Sequence, residues 1–240
     1  MREQGTGNET SRALPSTNAG SDAGVLLPPF LSFPLSPSLF PASMKSICVY
    51  CGSNPGAKPV YVERATELGR RIAAEGLRLV YGGGRTGLMG AVADGVLAAG
   101  GEVTGVIPQH LVDLEVAHKG VTTLEIVGSM HERKSRMFDL SDAFVALPGG
   151  FGTAEEIFEM LTWRQLGIGK KPCAFLDIDG FYTQLIGMID HMVAERFLHP
   201  EQRDDLWHGE DPTRMLEWMR AYSPAQADKW FDEKKRNALR

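Results

Sequence analysis

Twice in this chain a short, mostly apolar run breaks into glycines and then into a helical pattern. The first is Leu77–Tyr81, followed by Gly82-Gly83-Gly84-Arg85-Thr86-Gly87-Leu88-Met89-Gly90 and a small-residue helix over Ala91–Ala99. The second is Asp142–Leu147, followed by Pro148-Gly149-Gly150-Phe151-Gly152-Thr153-Ala154-Glu155-Glu156 and a helix over Thr153–Leu166. A strand that turns through glycines into a helix lets backbone N–H groups approach an anion. The helix N-terminus adds about half a positive charge. The second run also carries acids in its first helical turn. A site that only binds an anion has little use for them; a hydrolase does.

Strand and helix patterns alternate along most of the chain. Strands are expected at Ile47–Cys51, Leu77–Tyr81, Val103–Ile107, Thr122–Val127, Ala143–Leu147 and Pro172–Leu176. Helices are expected at Val60–Ala74, Ala91–Ala99, Met130–Leu140, Thr153–Leu166, Tyr182–Ala194 and Pro212–Ala221. Short connections and continuous apolar strands argue for an α/β fold, a Rossmann-like, doubly wound parallel sheet with helices on both faces. In such sheets ligands bind outside the carboxyl ends of the strands, and both glycine runs fall there.

Residues 1–43 read differently. Gly, Ser, Thr, Asn and Pro cluster there without a sustained period, and such a stretch buries too little apolar surface to offset its ordering entropy. It is expected to be a disordered leader. A start assigned too early is the competing reading, because Met44-Lys45 directly precedes the first strand. Prolines interrupt Val25–Phe40, against a signal peptide, and no segment reaches the ~20 apolar residues of a membrane span. Residues 44–222 suit a single Rossmann-like domain, with a charged tail over 223–240. The net charge of −5 gives no basic field for nucleic acid. Cys48 and Cys51 form a C-x-x-C within one strand, where positions three apart face opposite ways. With Cys173 they read as unpaired thiols of a reducing cytoplasm. No metal-ligand spacing and no cofactor is expected.

Each motif has a plainer reading. Gly82-x-Gly84-x-x-Gly87 matches a dinucleotide fingerprint, but it follows the second strand, and no acid ends the third. It reads equally as a tight turn with close helix packing or as a site wall. Thr153 and Glu156 have the spacing of a capping box, which needs no ligand but leaves the glycines unexplained. Arg133, Lys134 and Arg136 crowd one helical turn. They form either a solvated face partnered by Glu132 and Asp139, or an anion-holding group in an acidic chain.

Together these stretches resemble the LONELY GUY family, the cytokinin riboside 5′-monophosphate phosphoribohydrolases. The matching residues are Cys48–Ser53, Val80–Gly84 with Gly87–Gly90, Gly105–Pro108, Met130-His131-x-Arg133-Lys134, Leu147–Glu156 and Thr162-Trp163-x-Gln165-Leu166-Gly167. They run in order from about residue 46 to 198. Family members are often labelled lysine decarboxylases. No lysine here has a recognisable pyridoxal-phosphate setting, so that label is set aside.

The resemblance implies hydrolysis of purine ribonucleoside 5′-monophosphates to free base and ribose 5-phosphate. Its substrate contacts carry over to Glu115, Arg133, Lys134, Gly150, Phe151, Gly152, Thr153, Ala154, Glu155, Glu156 and Thr162. Arg133 and Glu156 are the catalytic candidates, and Ser53, Gly83, Gly84 and Met89 are candidate pocket walls. The resemblance also implies a homodimer whose partner chain completes the pocket. Two alternatives share the fold: a general AMP nucleosidase without a cytokinin role, and a non-catalytic nucleotide binder like the molybdenum cofactor carriers.

Overall fold

The structure is a computed structural model that describes residues 44–114 and 116–224. The expected leader, residues 225–240 of the tail and Glu115 lie outside the described residues. In chain order the elements are β1 (Ser46–Tyr50), α1 (Pro59–Ala74), β2 (Arg78–Tyr81), α2 (Gly87–Ala98), β3 (Val103–Pro108), α3 (Gln109–Asp113), β4 (Thr123–Val127) and α4 (Met130–Leu140). There follow β5 (Ala143–Ala146), α5 (Phe151–Gln165), β6 (Cys173–Leu176), α6 (Thr183–Ala194), α7 (Pro200–Asp204), β7 (Leu206–Gly209) and α8 (Pro212–Ala221).

Seven strands form one sheet in the order β4-β3-β2-β1-β5-β6-β7, and every neighbouring pair is parallel. From β1 the chain winds outward one way to β4, then returns to β5 and winds the other way. The reversal opens a crevice between the carboxyl ends of β1 and β5, the place where such sheets bind ligands. Pro148-Gly149-Gly150 leaves β5 at this point.

The inner strands are apolar on both faces because both are covered. Leu68 and Ile72 of α1, Val92 and Val96 of α2, and Met215 and Leu216 of α8 cover one face. Met137 of α4, Ile157 and Met160 of α5, and Ile186 and Ile189 of α6 cover the other. Cys48 belongs to one core and Cys51 to the other, and both thiols are free and buried, as is Cys173. Helices α1 and α2 meet backbone to backbone. A Cβ added to Gly69 would stand 2.3 Å from the Val92 carbonyl oxygen, and one on Gly95 2.4 Å from that of Thr66.

The short helices α3 and α7 have no counterpart in the sequence expectation, and three further features depart from it. Helix α2 starts at Gly87 rather than Ala91, because Gly87 and Gly90 lie inside its first turn, and Leu88 N–H bonds the Gly52 carbonyl at 3.0 Å. Helix α5 starts at Phe151 rather than Thr153. A seventh strand, Leu206-Trp207-His208-Gly209, edges the sheet beyond β6. Its one fully buried position, Leu206, gives no continuous apolar signal.

Candidate active site

Helix α4 is set by its first turn. The Ser129 hydroxyl accepts from Glu132 N–H at 3.1 Å, and the Glu132 carboxylate accepts from Gly128 N–H at 2.7 Å. Glu132 is thereby spent on the helix start and does not partner the cations that follow. Arg133 instead enters the protein. Its Nε donates to the Val106 carbonyl at 3.1 Å, and its Nη1 lies 2.6 Å from Glu156 Oε1. Both side chains are about one-tenth exposed. A Cβ on Gly82 would stand 1.9 Å from Arg133 Nη2, so the guanidinium lies where only glycine leaves room. The first glycine of the dinucleotide-like fingerprint therefore makes space for an arginine of this same chain.

Glu156 comes from the buried stripe of α5, with Thr153, Ile157 and Met160. Burial raises its pKa above the usual carboxylate value; the Arg133 guanidinium pulls it back down without cancelling the rise. The capping box does not form. Gly150 is the N-cap and makes no side-chain cap bond, and Thr153 sits inside the helix. Thr153 packs under Gly149, where a Cβ would fall 2.1 Å from its Oγ1. Gly150 and Gly152 face open space, which leaves the first N–H groups of α5 approachable.

Lys134 bonds Glu155 and lies 3.2 Å from Glu159 Oε2. Burial works against its charge, and the two carboxylates together raise its pKa. Arg136 turns the other way, to Glu125 on β4 at 2.6 Å. The three cations expected to share one role thus divide, and Asp139 is not the partner of Arg133 or Lys134. Glu159 was not among the sequence candidates. Its place four residues after Glu155, on the same helix face, was the available signal.

The candidate wall residues gather around the same crevice. Gly83 has φ +76°, a left-handed conformation glycine takes without strain. A Cβ on Gly84 would meet Met89 Cε at 2.6 Å, and one on Gly82 the Met89 sulfur at 3.4 Å. Ser53 is exposed on the loop after β1, and its backbone packs on Gly87. Phe151 is 97 % exposed. Thr162 stands apart. It lies six residues beyond Glu156 on α5, turned to another side of the helix, and its hydroxyl donates to the Phe158 carbonyl. It lines a separate groove of about 580 Å3 with Leu161, Met192, Phe197 and Leu198. Among the described residues, no three His, Cys, Asp or Glu side chains come together as metal ligands.

A family model described as "Possible lysine decarboxylase" matches residues 89–219. The cytokinin riboside 5′-monophosphate phosphoribohydrolase of Rhodococcoides fascians is 49% identical over 160 residues, covering 66% of this chain and 81% of that one. An enzyme of the same name from Arabidopsis thaliana is 41% identical over 196 residues, covering 80% and 86%. The chain belongs to the LONELY GUY family. Among solved structures, the molybdenum cofactor binding protein of Rippkaea orientalis superposes with a TM-score of 0.58 at 23% identity, over 74% of this chain and 96% of that one. At that identity the likeness shows the shared fold alone. Arg133, Glu156 and the second glycine run fall inside the matched span 89–219, whereas the first run, Gly82–Gly90, lies mostly ahead of it.

Proposed function

We propose that this chain hydrolyses the N-glycosidic bond of N6-modified adenine ribonucleoside 5′-monophosphates, giving free base and ribose 5-phosphate. The observation that carries the reading is the buried Arg133–Glu156 pair, 2.6 Å apart, behind an open glycine turn at the switch point of the sheet. The names of the relatives support the substrate class.

In this reading the 5′-phosphate sits at the head of α5, against the N–H groups of Gly150, Phe151, Gly152 and Thr153. Ala154 and Glu155 continue that turn, and Lys134 adds charge beside it. Breaking the C1′–N bond builds positive charge on the ribose. The Glu156 carboxylate stabilises that cation or takes a proton from the attacking water. Water supplies the hydroxyl at C1′, and its proton ends on the departing base. Arg133 holds Glu156 in place and acts on the base or the phosphate. Ser53, Gly83, Gly84 and Met89 wall the pocket, and Glu115 contributes from the segment before Val116. Thr162 faces away from Glu156 within one chain, so its contact fits a homodimer in which each subunit completes the other's pocket. Three buried free thiols fit a cytoplasmic setting.

The test is chromatographic detection of free base from AMP and from N6-isopentenyl-AMP. Release from the monophosphates and not from the nucleosides is expected. A faster rate on the prenylated substrate is expected over plain AMP; equal rates would favour a general AMP nucleosidase, and no release from either would leave a binding protein. Glu156→Gln should lower turnover at least a hundredfold, on the order expected for a lost acid–base group, while nucleotide affinity stays within a few fold. Sedimentation equilibrium should give twice the chain mass; a monomer would remove the shared pocket.

A further inference from the structure

The loop after β5 is held by more than its own glycines. Leu147 N–H donates to the Tyr50 carbonyl at 2.9 Å. In a regular parallel ladder the Leu147 carbonyl would then accept from Gly52. The ladder slips instead, and Gly52 N–H bonds the Pro148 carbonyl at 3.0 Å. The Leu147 carbonyl accepts from the Tyr182 hydroxyl, at 2.5 Å. Tyr182 is buried, its ring 4.8 Å from that of Phe175 and 5.0 Å from that of Phe181. Its backbone N–H donates to Asp177 Oδ1 at 2.9 Å, and Asp177 Oδ2 lies 3.1 Å from His208 Nε2 on β7. Burial pushes the phenol pKa up, so the hydroxyl remains a donor.

We propose that Tyr182 is a positioning residue for the phosphate cradle. Its hydroxyl fixes where Pro148–Gly152 leaves β5, and so fixes the aim of the N–H groups at the head of α5. The inference rests on reading that turn as the phosphate site. Without the hydroxyl, the buried Leu147 carbonyl lacks a partner, which is costly. The nearest repair is the regular ladder bond from Gly52, which frees the Pro148 carbonyl and moves the turn that follows. Errors of about 1 Å in such a turn are enough to weaken a bound group's placement severely.

Full-length Tyr182→Phe tests this, because it removes one oxygen. The expected result is a KM for the nucleoside monophosphate raised about tenfold, on the order of one lost buried hydrogen bond, with kcat within about twofold. Calorimetry with ribose 5-phosphate should show the same tenfold weakening, while inhibition by free adenine stays unchanged. A lower melting temperature with unaltered ribose 5-phosphate affinity would overturn the inference. If Tyr182→Phe does not fold, Asp177→Asn decides: it keeps the hydroxyl but weakens its support, and should shift affinity in the same direction by a smaller factor. Unaltered affinity there overturns the inference too. Wild-type protein that binds ribose 5-phosphate but releases no base would overturn the hydrolase reading alone. Wild-type protein that binds no ribose 5-phosphate would overturn both.

Discussion

Burial and an ion pair pull the proton affinity of Glu156 in opposite directions, and burial prevails. Its carboxyl therefore protonates at a higher pH than a free glutamate. If turnover needs the ionised form, the rate falls as pH drops through that raised value. The acid limb of the kcat/KM profile should thus lie above the ordinary 4.5. Arg133→Met removes a charge that holds the pKa down, so residual activity, or a carboxyl NMR titration, should place the limb higher still. Gly82 makes a second prediction. An alanine there would put its methyl against Arg133 Nη2, and the guanidinium must move. Gly82→Ala should cut kcat/KM at least tenfold, the order expected when a reacting group is misplaced, with circular dichroism unchanged. The sequence marked Arg133 and Glu156 through the family resemblance. It marked Gly82 as part of a dinucleotide-like turn but not as the space for Arg133, because a glycine's use depends on what lies opposite it.

At the scale of elements, the start of α5 decides how its residues act. Beginning the helix at Phe151 takes Thr153 away from the cap and packs it beneath Gly149. Gly149→Ala would force the added methyl against Thr153 Oγ1 and to 2.9 Å from Gly52 N. A loss of about 1–3 kcal/mol, typical of overpacking, is expected from urea denaturation midpoints. The inner strands were legible in the sequence because burial on both faces writes an unbroken apolar run, as in Ala143–Leu147. Strand β7 was not, since an edge strand with Trp207 and His208 half-buried has no need of such a run. Helix α4 was placed at its full length, yet its cations were not assigned. Local spacing offered Glu132 and Asp139, while the partners of Arg133 and Lys134 come from α5.

For the whole molecule, alternating patterns were enough to give a doubly wound parallel sheet, and they carried no information on strand order. That order depends on packing such as the α1–α2 contact, where Gly69 and Gly95 let two backbones touch. Gly95→Val should destabilise the protein by several kcal/mol, beyond the range of simple overpacking, measurable as a large drop in melting temperature. Arg133 belongs to this scale as well. It joins Val106 on β3, in one half of the sheet, to Glu156 on α5, which packs over the other half. The side chain is a tie across the seam between the halves, so any widening of the crevice must first pull Glu156 off its partner. Catalysis would then fail at a smaller distortion than the fold does. In low urea, activity should vanish while the far-ultraviolet signal still reads as native, and base release would serve as a gauge of how tightly the two halves are closed.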